Sequence, residues 1–256
     1  MEAVTEQGHV KAAVENGIAS VEFFHPLSNS LPGKLLNKLA DQITELGKDD
    51  SVHVIILRSN GDRAFCAGAS FDELISIKDH DTGTVFFSGF AKVINAMRKC
   101  PKLIIGRVQG KTVGGGVGLA SSVDYCFATK FASVKLSELA VGIGPFVVGP
   151  AVERKVGVSA FSQMAINATE WYDAEWAREK GLYTGIYDDV DQMDSAINEL
   201  ALKLSKSNPE AMKLLKEVFW RGTEDWDTLL AERASLSGKL VLSDFAVNAI
   251  NQFKAK

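Results

Sequence analysis

The sequence predicts an α/β fold with parallel strand pairing. Two observations carry this. Short β-branched, apolar runs at residues 52–57, 103–108 and 125–129 read as fully buried strands. Between them lie longer stretches whose apolar residues recur at helical spacing, so strand and helix alternate as βαβ units require.

The elements follow in order. Residues 10–14 and 18–24 form two strands joined at Asn16-Gly17, a dipeptide suited to the positive φ angles of a two-residue hairpin turn. Leu35, Leu36, Leu39, Ile43 and Leu46 line one face of a helix. The strand at 52–57 ends in Ser59-Asn60-Gly61-Asp62. Residues 71–77 and 86–97 read as helices, the second stopped before Pro101. The strand at 103–108 leads to Gly114-Gly115-Gly116-Val117-Gly118, which opens a helix of small residues (Leu119, Ala120, Ser121, Ser122). From about Asp189 onward only helices are expected: 194–207, stopping at Asn208-Pro209, then 210–219, 226–240 and 244–253. Leu229, Leu230, Leu236, Leu240 and Leu242 are expected to cover the core or a neighbouring copy.

With 256 residues the chain can bury a large core. A net charge of −4 and a pI near 5.7 argue against a general nucleic-acid surface. No apolar run reaches the roughly 18 residues of a membrane span, and the N-terminal residues lack the apolar centre of a secretory signal. Cys66, Cys100 and Cys126 are scattered, as suits reduced thiols in a cytoplasmic protein. His9, His25, His53 and His80 show no metal-ligand spacing, so no metal site is expected.

The glycine cluster sits where a strand meets a helix N-terminus. Bare backbone there lets a ligand approach, and unpaired N–H groups point at it. Such a place suits a phosphate or a developing oxyanion. A P-loop lysine is absent, and the spacing is not that of a dinucleotide fingerprint. Upstream, Ala64-Phe65-Cys66-Ala67-Gly68-Ala69 forms a second small-residue turn.

Together these two segments resemble the crotonase (enoyl-CoA hydratase/isomerase) superfamily. Pro26-Leu27-Ser28-Asn29-Ser30-Leu31 is similar to its early Pro-x-x-x-Asn-x-Leu turn, one residue shorter. Val134 to Gly142 resembles its Phe-Gly-x-x-Glu-x-x-x-Gly segment, and Ala174 to Leu182 its Ala-x-x-Ala-x-x-x-Gly-Leu helix end. The resemblance implies a spiral of ββα turns over residues 1–200, then a helical region over 201–256 that covers the site and builds a homotrimer or dimer of trimers. It implies an acyl-coenzyme A thioester as substrate and no further cofactor.

Carried over by position, the oxyanion donors are the N–H groups of Ala69 and Gly115, and the acid/base is Glu138. Ala67, Gly68, Gly114, Gly118 and Phe146 are expected against substrate or coenzyme A. Phe253 and Lys256 match a Phe-x-x-Lys ending that holds the nucleotide. His25 stands near a position often occupied by a cation. Family hydratases use a second glutamate, and its position here is Gly118, which has no side chain. The glycine-rich run after the remaining glutamate is also replaced, by Gly144-Pro145-Phe146-Val147-Val148-Gly149. Two carboxylates can activate a water while protonating carbon. One can take a proton from one carbon and return it two carbons away. The resemblance therefore implies isomerisation of a 3-enoyl to a 2-enoyl thioester ahead of hydration, with a non-catalytic acyl-CoA binder as a third reading. Among substitutes for the missing acid, Asp72 and Glu73 are expected on a solvated helix face and Asp124 in a cap or turn. Cys66 has no activating neighbour in the sequence, and Ser137 is placed to orient Glu138 or a water.

Overall fold

A computed structural model describes residues 8–254, with side chains through Gln252. In chain order the elements are β1 (His9–Glu15), β2 (Ile18–Phe24), α1 (Gly33–Lys48), β3 (Val54–Ser59), β4 (Ala64–Cys66), α2 (Phe71–Ser76) and α3 (His80–Lys99). There follow β5 (Leu103–Val108), β6 (Lys111–Val113), α4 (Gly115–Ser122), β7 (Tyr125–Thr129), β8 (Ser133–Lys135) and a 3₁₀ turn (Glu138–Val141). The remainder is α5 (Gly149–Ile166), β9 (Tyr172–Asp173), α6 (Ala174–Glu179), β10 (Gly185–Tyr187), α7 (Val190–Ser205), α8 (Pro209–Phe219), α9 (Trp226–Leu240) and α10 (Asp244–Lys254).

Two sheets organise these elements. One has the order β1-β2-β3-β5-β7-β10, the other β4-β6-β8-β9. The hairpin β1–β2 is antiparallel with Asn16 and Gly17 at positive φ, and the rest of the first sheet is parallel. The chain is the expected spiral: β3, β5 and β7 each enter the first sheet, and β4, β6 and β8 each follow in the second before a helix begins. Because β4, β6 and β8 run parallel, the loops after them emerge at one end of the small sheet. Ligands of parallel sheets bind at such carboxyl ends.

Several boundaries differ from the sequence reading. The strand expected at 52–57 runs from Val54 to Ser59, because the Val52 N–H donates to Asp49 in the turn after α1 and the His53 N–H to Gly17 of the hairpin. The helix expected at 86–97 begins at His80, where Asp79 and Thr82 form a capping box. The helix expected from Asp194 begins at Val190, capped by Asp189. Asp194 instead makes two hydrogen bonds with buried Arg107 of β5, fastening α7 across the large sheet. The division expected after residue 200 falls within α7.

The C-terminal helices share the main core. Trp220, Trp226, Leu230 and Ala234 are buried with Leu39, Ile94 and Val117 in one apolar cluster. Helices α3 and α9 approach so closely that a Cβ added at Gly83 would lie 2.9 Å from the Gly238 backbone. Leu230 is fully buried, whereas Leu236 is exposed. Among the described residues no helix is long and apolar enough to cross a membrane.

Candidate active site

Three loops after the parallel strands of the small sheet meet over one cavity of about 750 Å³. After β4 come Ala67, Gly68 and Ala69. Leu31 bridges this segment in parallel: its N–H donates to the Gly68 carbonyl at 2.8 Å, and its own carbonyl accepts from Ser70 N–H at 3.2 Å. Parallel pairing leaves the N–H of the bridged residue pointing the other way, so the Ala69 N–H is free of the bridge. Asn29 fixes the same corner. Its side chain donates to the Asn60 and Ala64 carbonyls at 2.8 and 2.9 Å and accepts from His25 N–H at 2.9 Å.

After β6 comes the glycine cluster. Gly114 adopts φ 52°, ψ −114°, a conformation open to glycine, and turns the chain into α4. Every residue of α4 is buried, and Gly115, the residue that opens it, lines the cavity at the helix N-terminus, where first-turn N–H groups lack an intrahelical partner. Each glycine also answers to a neighbour. A Cβ on Gly115 would strike the Phe90 ring, and one on Gly116 would meet Cys66 across the two loops. One on Gly114 would lie 3.0 Å from Glu138 Oε1.

That last contact places the acid. Glu138 opens the 3₁₀ turn after β8, with Ser137 before it. Its carboxyl group lies against Gly114, directly before the helix N-terminus. Oε2 is buried and has no hydrogen-bond partner among the described residues. Burial is the main cause that lifts the Glu138 carboxyl from the usual carboxylate range to about 7, and the N–H groups of Glu138 and Ser137 pull weakly the other way. A carboxyl group poised near neutrality can both take and return a proton.

Ala67, Gly68, Ala69, Gly114, Gly115, Glu138 and Phe146 all line the cavity. Gly118 does not. It lies one turn into α4, wholly buried, where a Cβ would sit 2.5 Å from Val148 Cγ1 and 3.6 Å from Ile94 Cδ1. Its N–H donates to Gly114 and its carbonyl accepts from Ser122. The expectation that Gly118 touches substrate or holds a water is therefore corrected: Val148 occupies the space a longer side chain would need. Gly118→Ala is expected to overpack this contact and destabilise the fold by about 1–3 kcal/mol. Adding Val148→Ala should recover most of the loss, a non-additivity that thermal unfolding of the single and double variants would measure.

The other candidates separate. Cys66 is fully buried and burial pushes its thiol up to about 12, so it is no nucleophile. Asp72 is exposed as expected, but Glu73 accepts the Gly33 N–H at 2.8 Å at the start of α1. Asp124 is a buried ion-pair partner of Lys216, not a simple cap. Burial lowers the pKa of His25, which weakens its claim as a cation. The Phe253 side chain and Lys256 lie outside the described residues. The cavity wall also holds residues the sequence did not single out. Phe86, Phe87 and Phe90 come from α3, Phe71 and Leu74 from α2, and Val148 from the run before α5. The α3 aromatics were visible as a helical face, but nothing near Val148 announces its contact with Gly118.

Comparison with known proteins agrees with this geometry. The family model described as enoyl-CoA hydratase/isomerase matches residues 13–246. A probable enoyl-CoA hydratase of Bacillus subtilis (strain 168) is 26% identical over 250 residues, covering 96% of each chain. A trans-2-decenoyl-[acyl-carrier-protein] isomerase of Streptococcus mutans is 23% identical over 216 residues, covering 82% of this chain and 81% of that one. Among solved structures, an enoyl-CoA hydratase from Bacillus halodurans superposes with a TM-score of 0.87 over 95% of this chain and 99% of that one, at 18% identity. With a family match spanning the sheets, the converging loops and the C-terminal helices, this chain belongs to the enoyl-CoA hydratase/isomerase family, a family of enzymes.

Proposed function

We propose that this chain moves a double bond in an enoyl thioester of coenzyme A, from the 3- to the 2-position, with Glu138 as its single acid/base. One observation carries the reading: Glu138 is the only carboxylate among the residues lining the cavity. The place of a second acid is filled by Val148 packing on Gly118. In the proposed reaction the thioester oxygen accepts hydrogen bonds from the N–H groups of Ala69 and Gly115. Glu138 removes a proton from C2, the electron pair delocalises onto that oxygen, and the same carboxyl returns the proton to C4. Preorganised N–H donors are commonly the largest single contribution to such catalysis. The apolar walls of Phe87, Phe90, Phe146 and Val147 keep water from the carbanion and help hold the abstracted proton. The step is redox-neutral, and we assign it no cofactor beyond the thioester.

Hydration of a 2-enoyl thioester is the second reading. The name of the Bacillus subtilis relative favours it, and Ser137, which also lines the cavity, would have to help hold the water. Incubation with 3-enoyl-CoA and, separately, 2-enoyl-CoA of medium length, with products resolved by mass, separates the two. Conversion of the 3-enoyl substrate at unchanged mass is the expected result, and gain of one water by the 2-enoyl substrate would overturn it.

We further assign a homotrimer or dimer of trimers. The apolar row Leu214, Leu215, Val218 and Phe219, exposed on α8, supports a covered face. The buried, unpaired Cys66, Cys100 and Cys126 suit a reducing, cytoplasmic compartment.

A further inference from the structure

The cavity contains one charged group that the proposed reaction does not use. Lys135, the last residue of β8, is the only lysine or arginine among the lining residues. Its ammonium lies 4.4 Å from the centroid of the Trp171 ring, and the Lys111 ammonium lies 5.2 Å from the same ring. The β6–β8 register explains the pairing. Val113 stands opposite Lys135, so Lys111, Val113 and Lys135 share one face of the small sheet. Thr112 and Val134 turn to the other face and are fully buried. Two cations are thus held around one indole, and Lys135 also lines the cavity.

Neither lysine has an acidic partner among the described residues. Lys130, Lys203, Lys99 and Lys216 each have one, with Asp188, Glu199, Asp227 and Asp124 respectively. Burial and the charge of Lys111 both lower the affinity of Lys135 for its proton, with no carboxylate opposing them. Thr169, two residues before Trp171, also lines the cavity.

We propose that Lys135, with Lys111 and Thr169, forms an anion subsite that binds a second carboxylate on the acyl group, so that the preferred substrate is a dicarboxylic acyl thioester. The proposal rests on the acyl-CoA reading of the cavity. The strand order β4-β6-β8-β9 gives the direction. The oxyanion donors follow β4 and β6, Glu138 follows β8, and Trp171 directly precedes β9. Neighbouring strands are about 4.8 Å apart. An acyl chain that runs from the oxyanion donors past Glu138 therefore continues toward Lys135 and Trp171. A phosphate of coenzyme A offers the same chemistry, but it belongs to the opposite end of the ligand.

Calorimetric titration of the full-length protein with glutaryl-CoA and pentanoyl-CoA tests this, because the two have the same chain length and neither carries a double bond. The unchanged protein should bind glutaryl-CoA about tenfold more tightly, the worth of one charge-assisted contact at a half-buried site. Lys135→Met should abolish that preference while affinity for pentanoyl-CoA and free coenzyme A stays the same. Lys111→Met, at an exposed position, should reduce the preference without risk to folding. Equal affinity for the two thioesters in the unchanged protein, or a preference that survives Lys135→Met, would overturn the subsite. Weakened binding of free coenzyme A by Lys135→Met, relieved when 3′-dephospho-coenzyme A is the ligand, would identify a phosphate as the anion and overturn the carboxylate assignment. Failure of every coenzyme A species to bind the unchanged protein would instead defeat the acyl-CoA reading beneath it.

Discussion

Glu138→Gln is expected to lower kcat on the enoyl thioester by at least about 10³-fold, within the 10²–10⁴ range that general acid/base groups supply. The upper part of that range is expected because the cavity lining offers no other carboxylate to take over the proton. The substitution keeps the shape of the side chain against Gly114, so affinity for saturated acyl-CoA should change little. Retained full activity would remove Glu138 from the mechanism. The pH dependence follows from the same group. Glu138 must begin ionised to accept the C2 proton, so kcat/KM should rise with pH and reach half its plateau near pH 7.

The raised proton affinity of Glu138 also makes a stability prediction that needs no substrate. Its carboxyl releases its proton near pH 4.5 in the unfolded chain and near 7 in the folded one. Below about pH 4.5 both states are protonated and folding carries no penalty. Between about pH 4.5 and 7 the unfolded chain ionises while the folded one stays protonated, so stability falls across that window by on the order of 3 kcal/mol and stays at the lower level above it. Glu138→Gln resembles the protonated form at every pH. It should therefore match the unchanged protein near pH 4.5 and melt roughly 5–10 °C higher at pH 8–9. Equal melting temperatures at both ends of that range would show that the carboxylate is paired or hydrated in solution. Loss of turnover together with gain of stability at alkaline pH is the signature of an acid kept under strain for its function.

How much of this was legible in the sequence depends on the range over which each feature is determined. The hairpin at Asn16-Gly17 and the helix of Leu35 to Leu46 are local and could be read directly. So could the glycine cluster, because close approach of other groups at Gly114, Gly115 and Gly116 leaves no room for side chains. The small sheet was not visible. Its strands β4, β6 and β8 have three residues each, too few for a period of two to register. Yet that sheet sets Ala69, Gly115 and Glu138 around one cavity. Motif positions picked out these residues, and the fold brings them to one cavity. Gly118 shows the reverse case. Its lack of a side chain was plain, but its burial behind Val148 depends on a contact between α4 and the run leading into α5. Asp194 marked the expected start of a helix and Asp124 a cap or turn, and both are committed to distant basic partners, Arg107 and Lys216.

Asp124 carries the second large expected effect, and it concerns stability alone. Its carboxylate accepts from Ile104 N–H at 2.8 Å and Trp220 Nε1 at 3.0 Å, and it pairs with Lys216 Nζ at 2.9 Å. Both side chains are nearly inaccessible, 6% and 3% exposed. Lys216 also donates to the Lys102 carbonyl at 2.8 Å, so one buried pair joins α8 to the start of β5 and to the connection between α4 and β7. Deleting either partner leaves the other charge buried without its counter-ion. Lys216→Met or Asp124→Asn should therefore each cost about 3–5 kcal/mol. Removing both charges while keeping an acceptor for one of the two N–H donors, as in Asp124→Asn with Lys216→Met, should still cost less than either single change, because no buried charge remains. Denaturant unfolding of the four proteins measures the coupling. A double variant as unstable as the sum of the singles would mean that the pair contributes through packing, not charge. Neither residue lines the catalytic cavity, so at a temperature where each variant is still folded, turnover per folded molecule should equal that of the unchanged protein. That contrast with Glu138 separates the charge that holds the fold from the charge assigned to the chemistry.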